Sequence, residues 1–475
     1  MKRKLSIFVL ALLPRLFFGA LFFGSVDLIN SINNGMNTLL GVAIHAPYFP
    51  FIHAFIWLGA VINGLLDWFP LAFAYKLVPL FCDSLIAVLV FQILEQRGYE
   101  KAFLAGVLYA ICPIPILIIG LHAQWDSITL LFLLLACSTR SFSQGIWFGL
   151  SVASKPYPLV FLPFLYRKNE NRQALQALAG MAAILGVLGL VSWALGWDAQ
   201  ASFRNIRSYM NNNVAIFGFP MSELAGLFPT IENGRRIVLL ALLACLPSLI
   251  NREMPLTRRA LFVLAGITAS ASLSPQYLIW TVPFLLVERY FRLAALFTGV
   301  TTVFLCLYYL NPQAPFVPYE NGYTFLPLAA FWGLTPPGEW SQWLTLPLLE
   351  ILGNSIIPTL LLGMTLMAFR DTASPEGKSP LPAKGYWVAF GTLALCLAMV
   401  FCLVDNDQVL SQAYANLSSK VKAYALLLPE EAHRMPVPVI APPFRGSAFF
   451  NAVTLLGVLL VGYQWLSLRQ HREKC

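Results

Sequence analysis

The sequence is short of charge. Only 11% of its 475 residues are Asp, Glu, Lys or Arg, less than half the share of roughly 25% in an ordinary soluble domain. It also lacks a C-x-x-C pair among its eight cysteines, which removes the usual zinc signatures. No phosphate-binding P-loop and no G-x-G-x-x-G are present, so nothing points to a soluble nucleotide domain. No tandem repeat, low-complexity tract or nucleic-acid signal stands out. The opening Met1-Lys-Arg-Lys and the apolar run to Phe23 have the outline of a signal peptide. Without a small-x-small cleavage site, and with Arg15 inside the run, they read as a retained first span.

What is present is apolar. Hydrophobic residues make up 58% of the chain and mean hydropathy is +0.70. The apolar residues come in long runs rather than alternating, which excludes a transmembrane β-barrel and leaves an all-α polytopic membrane protein. Expected segments centre on 5–23, 71–94, 102–119, 127–137, 145–154, 156–166, 173–196, 237–250, 260–272, 277–287, 293–311, 343–369, 386–404 and 450–467. This is a bundle of about 12–14 membrane segments. Two modules are expected: 1–290, and 291–475 with outer loops 312–342 and 405–449. The first outer loop, 24–70, carries apolar stretches at 36–43 and 49–66 that suit helices lying in the interface.

Charge sets the expected orientation. The formal charge is +9, and 20 of the 31 Lys and Arg fall in the stretches that this reading places in the cytoplasm, as the positive-inside rule requires. Both termini are then cytoplasmic, and the long loops 24–70, 197–236, 312–342 and 405–449 face outward. Most cysteines lie in or beside apolar runs, so no structural disulfide is expected. Two segments, 145–166 and 260–287, return to the cytoplasmic side in too few residues for two full crossings. Each carries polar residues at its middle, Ser154-Lys155-Pro156 and Ser274-Pro275-Gln276-Tyr277. They read as pairs of short helices meeting at a tip within the outer half of the membrane. Irregular backbone at that depth is tolerated where it is buried or lines a wet cavity.

Few residues are available for chemistry. Asp27 directly follows the first span, and no further acid occurs until Asp67. A carboxylate at the outer boundary suits a general base toward a sugar hydroxyl; the plainer reading is a solvated residue ending a helix. The turn Gly120-Leu-His-Ala-Gln-Trp-Asp126 concentrates His122, Gln124, Trp125 and Asp126, groups suited to a phosphate or a pyranose ring. The plainer reading makes Asp126 or Ser127 an N-cap. Lys155 is a lone ammonium whose natural partner is an anionic ligand or a carboxylate such as Asp126 or Asp27, unless it snorkels to the interface. Gln276 and Tyr277 occupy the second tip, with Trp280 one turn on. Arg204, Arg207 and Tyr209 in an outer loop suit a phosphate, although loop arginines are usually solvated. Lys76 and Asp83 share one face of the second span and read as an internal structural pair. On this orientation Asp27, the 120–126 turn, Lys155 and Gln276 all fall on the outer side, away from ATP. A reaction there needs a lipid-borne activated donor, and a sugar on a polyprenyl phosphate fits.

At these residues the chain resembles the GT-C superfamily of integral-membrane glycosyltransferases. The resemblance covers most of residues 1–290. Its residues are Asp27 after a Pro14-Arg15 first span, His45-Ala-Pro-Tyr-Phe-Pro50, Gly120–Asp126, the run from Gly145 to Lys155-Pro-Tyr-Pro, and Ser274-Pro-Gln-Tyr-Leu-Ile-Trp280. Among its branches the chain is most similar to the bacterial mannosyltransferases that use polyprenyl-phosphate mannose. The His-x-Gln turn is also similar to that of the glucosyltransferases extending the dolichol-linked oligosaccharide. The resemblance implies an inverting transfer of a hexose, mannose first, to a lipid-linked or envelope glycan acceptor on the outer face of a bacterial plasma membrane. It implies that Asp27 deprotonates the acceptor. It gives the donor phosphate to His122, Gln124, Lys155 and Gln276; Trp125, Asp126, Tyr277 and Arg207 join the expected phosphate and sugar site on the chemistry of the residues themselves. Many relatives carry a second acid near the first; here Asn30 and Asn33 follow instead, and a site without a metal or other cofactor is expected. The rival readings are a transporter or flippase of lipid-linked saccharides, which needs polar residues through the full membrane thickness, and a non-catalytic envelope-assembly protein.

Overall fold

The computed structural model describes residues 2–21, 28, 31, 50–65, 71–165, 171–196, 254–270, 275–310 and 351–370. Among these residues all regular structure is helical. The protein is an all-α membrane protein. Its helices are α1 (Lys2–Leu21), α2 (Pro50–Leu65), α3 (Leu71–Gln96), α4 (Ala102–Ala110), α5 (Asp126–Ser138), α6 (Ser141–Ser154), α7 (Asn171–Ala194), α8 (Leu256–Ser270), α9 (Val282–Val287), α10 (Phe291–Leu310) and α11 (Ile357–Arg370). Three stretches, Phe73–Gln96, Ala102–Leu121 and Asn171–Ala194, are long and apolar enough to cross a membrane. The expected segments 237–250, 386–404 and 450–467, and the loops 197–236, 312–342 and 405–449, lie outside the described residues.

Proline breaks the stretch that leads to the site. A residue before proline is pushed away from helical geometry, and Cys112, before Pro113, is extended at φ −63°, ψ 125°. A single turn, Pro113–Pro115, restarts the helix and widens into a π-helical turn, Ile116–Leu121. The His122 amide closes it on the Leu117 carbonyl at 2.9 Å. Such wide turns recur at functional sites. Ala123 then adopts φ 65°, a left-handed conformation uncommon for a residue with a Cβ. The chain reverses here and enters α5.

The core gathers around α3 and the 102–121 stretch, which are mostly buried, whereas α7 turns most of its surface outward. The buried residues of α7 are few and small: Ala174, Ala177, Gly180 and Ser192. A Cβ on Gly145 of α6 would overlap the Ala177 carbonyl, and one on Gly180 would overlap that of Phe142. Glycine at both positions therefore lets the two backbones approach closely, as small residues do between helices in lipid. Leu175, Leu190 and Trp193 point away from the bundle, and lipid is the solvent that accepts them.

Among the described residues, ion pairs centred on Asp83 and on Glu288 tie helices together. Arg15 of α1 meets Asp83 of α3, and both are fully buried. Arg15 also donates to the carbonyls of Ala11 at 2.7 Å and Ala110 at 2.6 Å, and Tyr109 donates to Asp83 at 2.7 Å. Asp83 is thus taken by Arg15 and Tyr109, which corrects the expected Lys76–Asp83 pair. A register of seven residues along one helix cannot reveal that a neighbouring helix supplies a better partner. At the second node, Glu288 accepts from Arg97 of α3 at 3.1 Å, from Arg258 of α8 at 3.1 Å, and from Thr257.

Candidate active site

The 120–126 turn is buried: His122 is 5% exposed, Gln124 3% and Trp125 1%, and Asp126 is fully enclosed. A fully enclosed carboxylate is costly unless paired and hydrogen-bonded, and Asp126 is both. Lys155 Nζ donates to its Oδ2 at 2.7 Å, and Trp280 Nε1 donates to its Oδ1 at 2.8 Å. Asp126 is the first residue of α5, where the helix dipole favours a negative charge. It is not the N-cap: Trp125 stands in that position without a side-chain cap bond. Ser127 does not cap either, because its hydroxyl donates to the Pro79 carbonyl at 2.8 Å. The capping reading of these two residues is corrected accordingly.

This one carboxylate joins three segments far apart in sequence. Lys155 sits where α6 ends, in extended backbone at φ −145°, ψ 146°, as expected before Pro156. A 3₁₀ helix, Tyr157–Leu165, follows. Among the described residues, Asp126 is the carboxylate that Lys155 takes. The ammonium stays 19% exposed, and one of its three N–H donors is used by Asp126. Trp280 arrives from the second tip, after a 3₁₀ turn, Pro275–Ile279. Its ring stacks on Tyr157 at a centroid distance of 4.0 Å and contacts Tyr277 at 4.4 Å. Among the described residues, the buried indole Nε1 of Trp125 and hydroxyl of Tyr157 meet no acceptor. Both are donors beside an anionic centre that is already occupied.

Burial pushes the His122 imidazole down to about 3; Asp126 opposes that shift, and Lys155 and Lys76 reinforce it. The ring is therefore neutral, with one nitrogen donating and one accepting. Among the described residues no group of three or more His, Cys, Asp or Glu gathers as a metal site would require.

The structure thus brings together His122, Asp126 and Lys155 with the aromatic side of the second tip, Tyr277 and Trp280. Gln124 and Trp125 lie on the same turn. Gln276 is half-buried beside Tyr277. Asp27 and Arg207, like Arg204 and Tyr209, lie outside the described residues. Sequence reasoning missed Tyr157, two positions after Lys155; the aromatic partner that gives it meaning is more than a hundred residues away. It also missed Lys76 as a neighbour of the turn: Lys76 Nζ donates to the Gly120 carbonyl at 3.2 Å.

The helices place the chain in the class of all-α membrane proteins. The comparison with known families is more particular. Residues 48–228 match the model of glycosyltransferase family 87. The match spans under half of the chain, includes Lys76, the 120–126 turn, Lys155 and Arg207, and excludes Asp27 and the second tip. It supports a transferase of sugars. No curated protein and no solved structure matches the chain.

Proposed function

We propose that the protein transfers a hexose, mannose as first choice, from a polyprenyl-phosphate sugar to a lipid-linked or envelope glycan acceptor on the outer face of the membrane. The observation that carries this reading is the Asp126 node. In a chain similar over residues 48–228 to a glycosyltransferase family, it gathers a cation, neutral donors and stacked aromatic rings around one buried point. The remaining Lys155 donors and the neutral His122 suit a phosphate diester, with Gln124, Gln276 and Arg207 as further donors. Trp125, Tyr277 and Trp280 suit the faces of a pyranose. In such a low-dielectric place these contacts gain strength as charge develops on the departing phosphate.

Asp27 acts as the general base. It takes the proton of the acceptor hydroxyl, the oxygen attacks the anomeric carbon from the face opposite the phosphate, and polyprenyl phosphate leaves with the bonding pair. The configuration inverts. Partners are the lipid-phosphate donor, the glycan acceptor and the surrounding lipids. The donor is already activated, so the step draws on no nucleotide.

The test is direct. Purified full-length protein in nanodiscs receives radiolabelled polyprenyl-phosphate mannose or glucose and candidate acceptors, with and without chelator. Transfer with inversion is expected. Asp27→Asn should lower kcat by about 10²–10⁴-fold, the usual worth of a general base. Full turnover by that variant would remove Asp27 from the mechanism. Absence of transfer from every lipid-phosphate sugar would remove the enzyme.

A further inference from the structure

Among the described residues, donors outnumber acceptors around Asp126. Its two oxygens accept from Lys155 at 2.7 Å and from Trp280 at 2.8 Å. Tyr157, stacked on that Trp280, keeps a buried hydroxyl that meets no partner among the described residues. Trp125, one position before Asp126, is enclosed with its indole N–H unmet as well. A buried donor without an acceptor forfeits its water contacts and gains nothing in return, so such a group calls for an explanation.

Tyr157 is held from two sides. Along the chain it follows Lys155-Pro156, and proline makes that link stiff. The Leu159 amide bonds back to the Pro156 carbonyl at 3.0 Å, which ties the 3₁₀ helix beginning at Tyr157 to the same link. Across the fold its ring lies on Trp280, 4.0 Å between centroids and 21° between planes. Trp280 is itself bonded to Asp126. One carboxylate therefore orients the Lys155 ammonium and, through Trp280, the plane of the Tyr157 phenol. Asp126 lies near enough for its charge to act on the Tyr157 hydroxyl, yet that hydroxyl is not bonded to it. Lys155 stays 19% exposed, with two of its three N–H donors unused by Asp126.

We infer that Tyr157 is a binding residue for the donor: its hydroxyl donates to an oxygen of the lipid-linked phosphate that the Lys155 ammonium neutralises. This rests on the functional reading above. Ammonium and indole N–H groups only donate, and the oxygens of a phosphate diester only accept, so the diester completes the set. The hydroxyl is in place before the ligand arrives, and its bond to an anion carries little ordering cost.

The substitution Tyr157→Phe keeps the ring and its stack on Trp280 and removes the hydroxyl alone. Its two effects have opposite signs. The ligand-free protein loses an unmet buried group, and the bound donor loses a hydrogen bond. Full-length wild type and Tyr157→Phe are compared in phosphatidylcholine nanodiscs. The readouts are the Kd of radiolabelled polyprenyl-phosphate mannose, the Kd of the uncharged polyprenol of equal length, and competition by phosphatidylglycerol. The unfolding midpoint without ligand is measured in detergent. Tyr157→Phe is expected to weaken polyprenyl-phosphate mannose roughly 10–100-fold, the usual worth of a hydrogen bond to a charged group, and to leave polyprenol within about 2-fold. It is expected to unfold at or above the wild-type midpoint. Unchanged affinity for the phosphate sugar would overturn the role of Tyr157 alone. An equal loss for polyprenol would do the same, since the contact would then not be with the phosphate. A lower midpoint or a failure to fold would also do so, by showing that the hydroxyl is used inside the protein. A wild type that binds polyprenyl-phosphate mannose no better than polyprenol, or that yields it to phosphatidylglycerol mole for mole, would overturn the functional reading, and the role of Tyr157 with it.

Discussion

Two aspartates separate structural from functional burial. Asp83 and Asp126 are both enclosed and both meet a cation. Asp83 faces an Arg15 that is itself fully buried and whose other donors end on backbone carbonyls. These contacts all stay within the helix bundle. Asp83→Ala should therefore cost stability, about 3–5 kcal/mol for a buried pair broken on one side, read as a lower unfolding midpoint in detergent. Asp126 faces a Lys155 with donors to spare and two orphaned donors nearby, Trp125 and Tyr157. Asp126→Asn keeps an acceptor for Trp280 and loses the charge that orients Lys155. It should fold near the wild-type midpoint and raise donor KM by about 10-fold or more. If the two variants exchanged these effects, the division of labour would be reversed. The polar character of His122, Gln124 and Asp126 was legible in the sequence because polar residues are scarce there. The union of Asp126 with Trp280 was not, because their separation in sequence carries no sign of their contact.

The helices were the most legible part. Apolar runs at 71–94, 102–119 and 173–196 correspond to α3, the 102–121 stretch and α7, because a run of that length in a membrane protein has one stable backbone solution. Their order of burial was less visible. The 102–121 stretch and α7 are almost equally apolar, yet the first is central and the second peripheral. Small residues decide this, since Gly145, Ala177 and Gly180 let α7 lie against α6 on one narrow face. Gly145→Val should push the two helices apart and cost about 1–3 kcal/mol, as overpacking does. Thermal unfolding of the purified variant measures it, and an unchanged midpoint would show that the close approach is dispensable. The π-helical turn Ile116–Leu121 follows the short turn Pro113–Pro115 and leads into His122.

Orientation belongs to the whole molecule. The site draws on residues from 122 to 280, and the family likeness reaches across 48–228. Lipid-facing side chains such as Leu190 and Trp193 on α7 mark the outside of the bundle. Lys and Arg counts predict an outward-facing site with both termini inside. Reporter fusions at positions 215 and 375 check this: an exported reporter should be active at 215 and a cytoplasmic one at 375. A cytoplasmic signal at 215 would invert the arrangement and put the acceptor on the wrong side for an envelope glycan.

Composition and hydropathy by themselves determined the helical membrane class, the positions of the described spans and the handful of polar positions worth attention. They did so because lipid penalises every unpaired backbone group and every stray charge. Only the tertiary structure decided which charge answers which: Arg15 for Asp83, Lys155 for Asp126, and Lys76 for the carbonyls of Gly19 and Gly120. Pairing depends on distance between helices, and helix-to-helix distance is set by packing of small and large side chains that no linear register records.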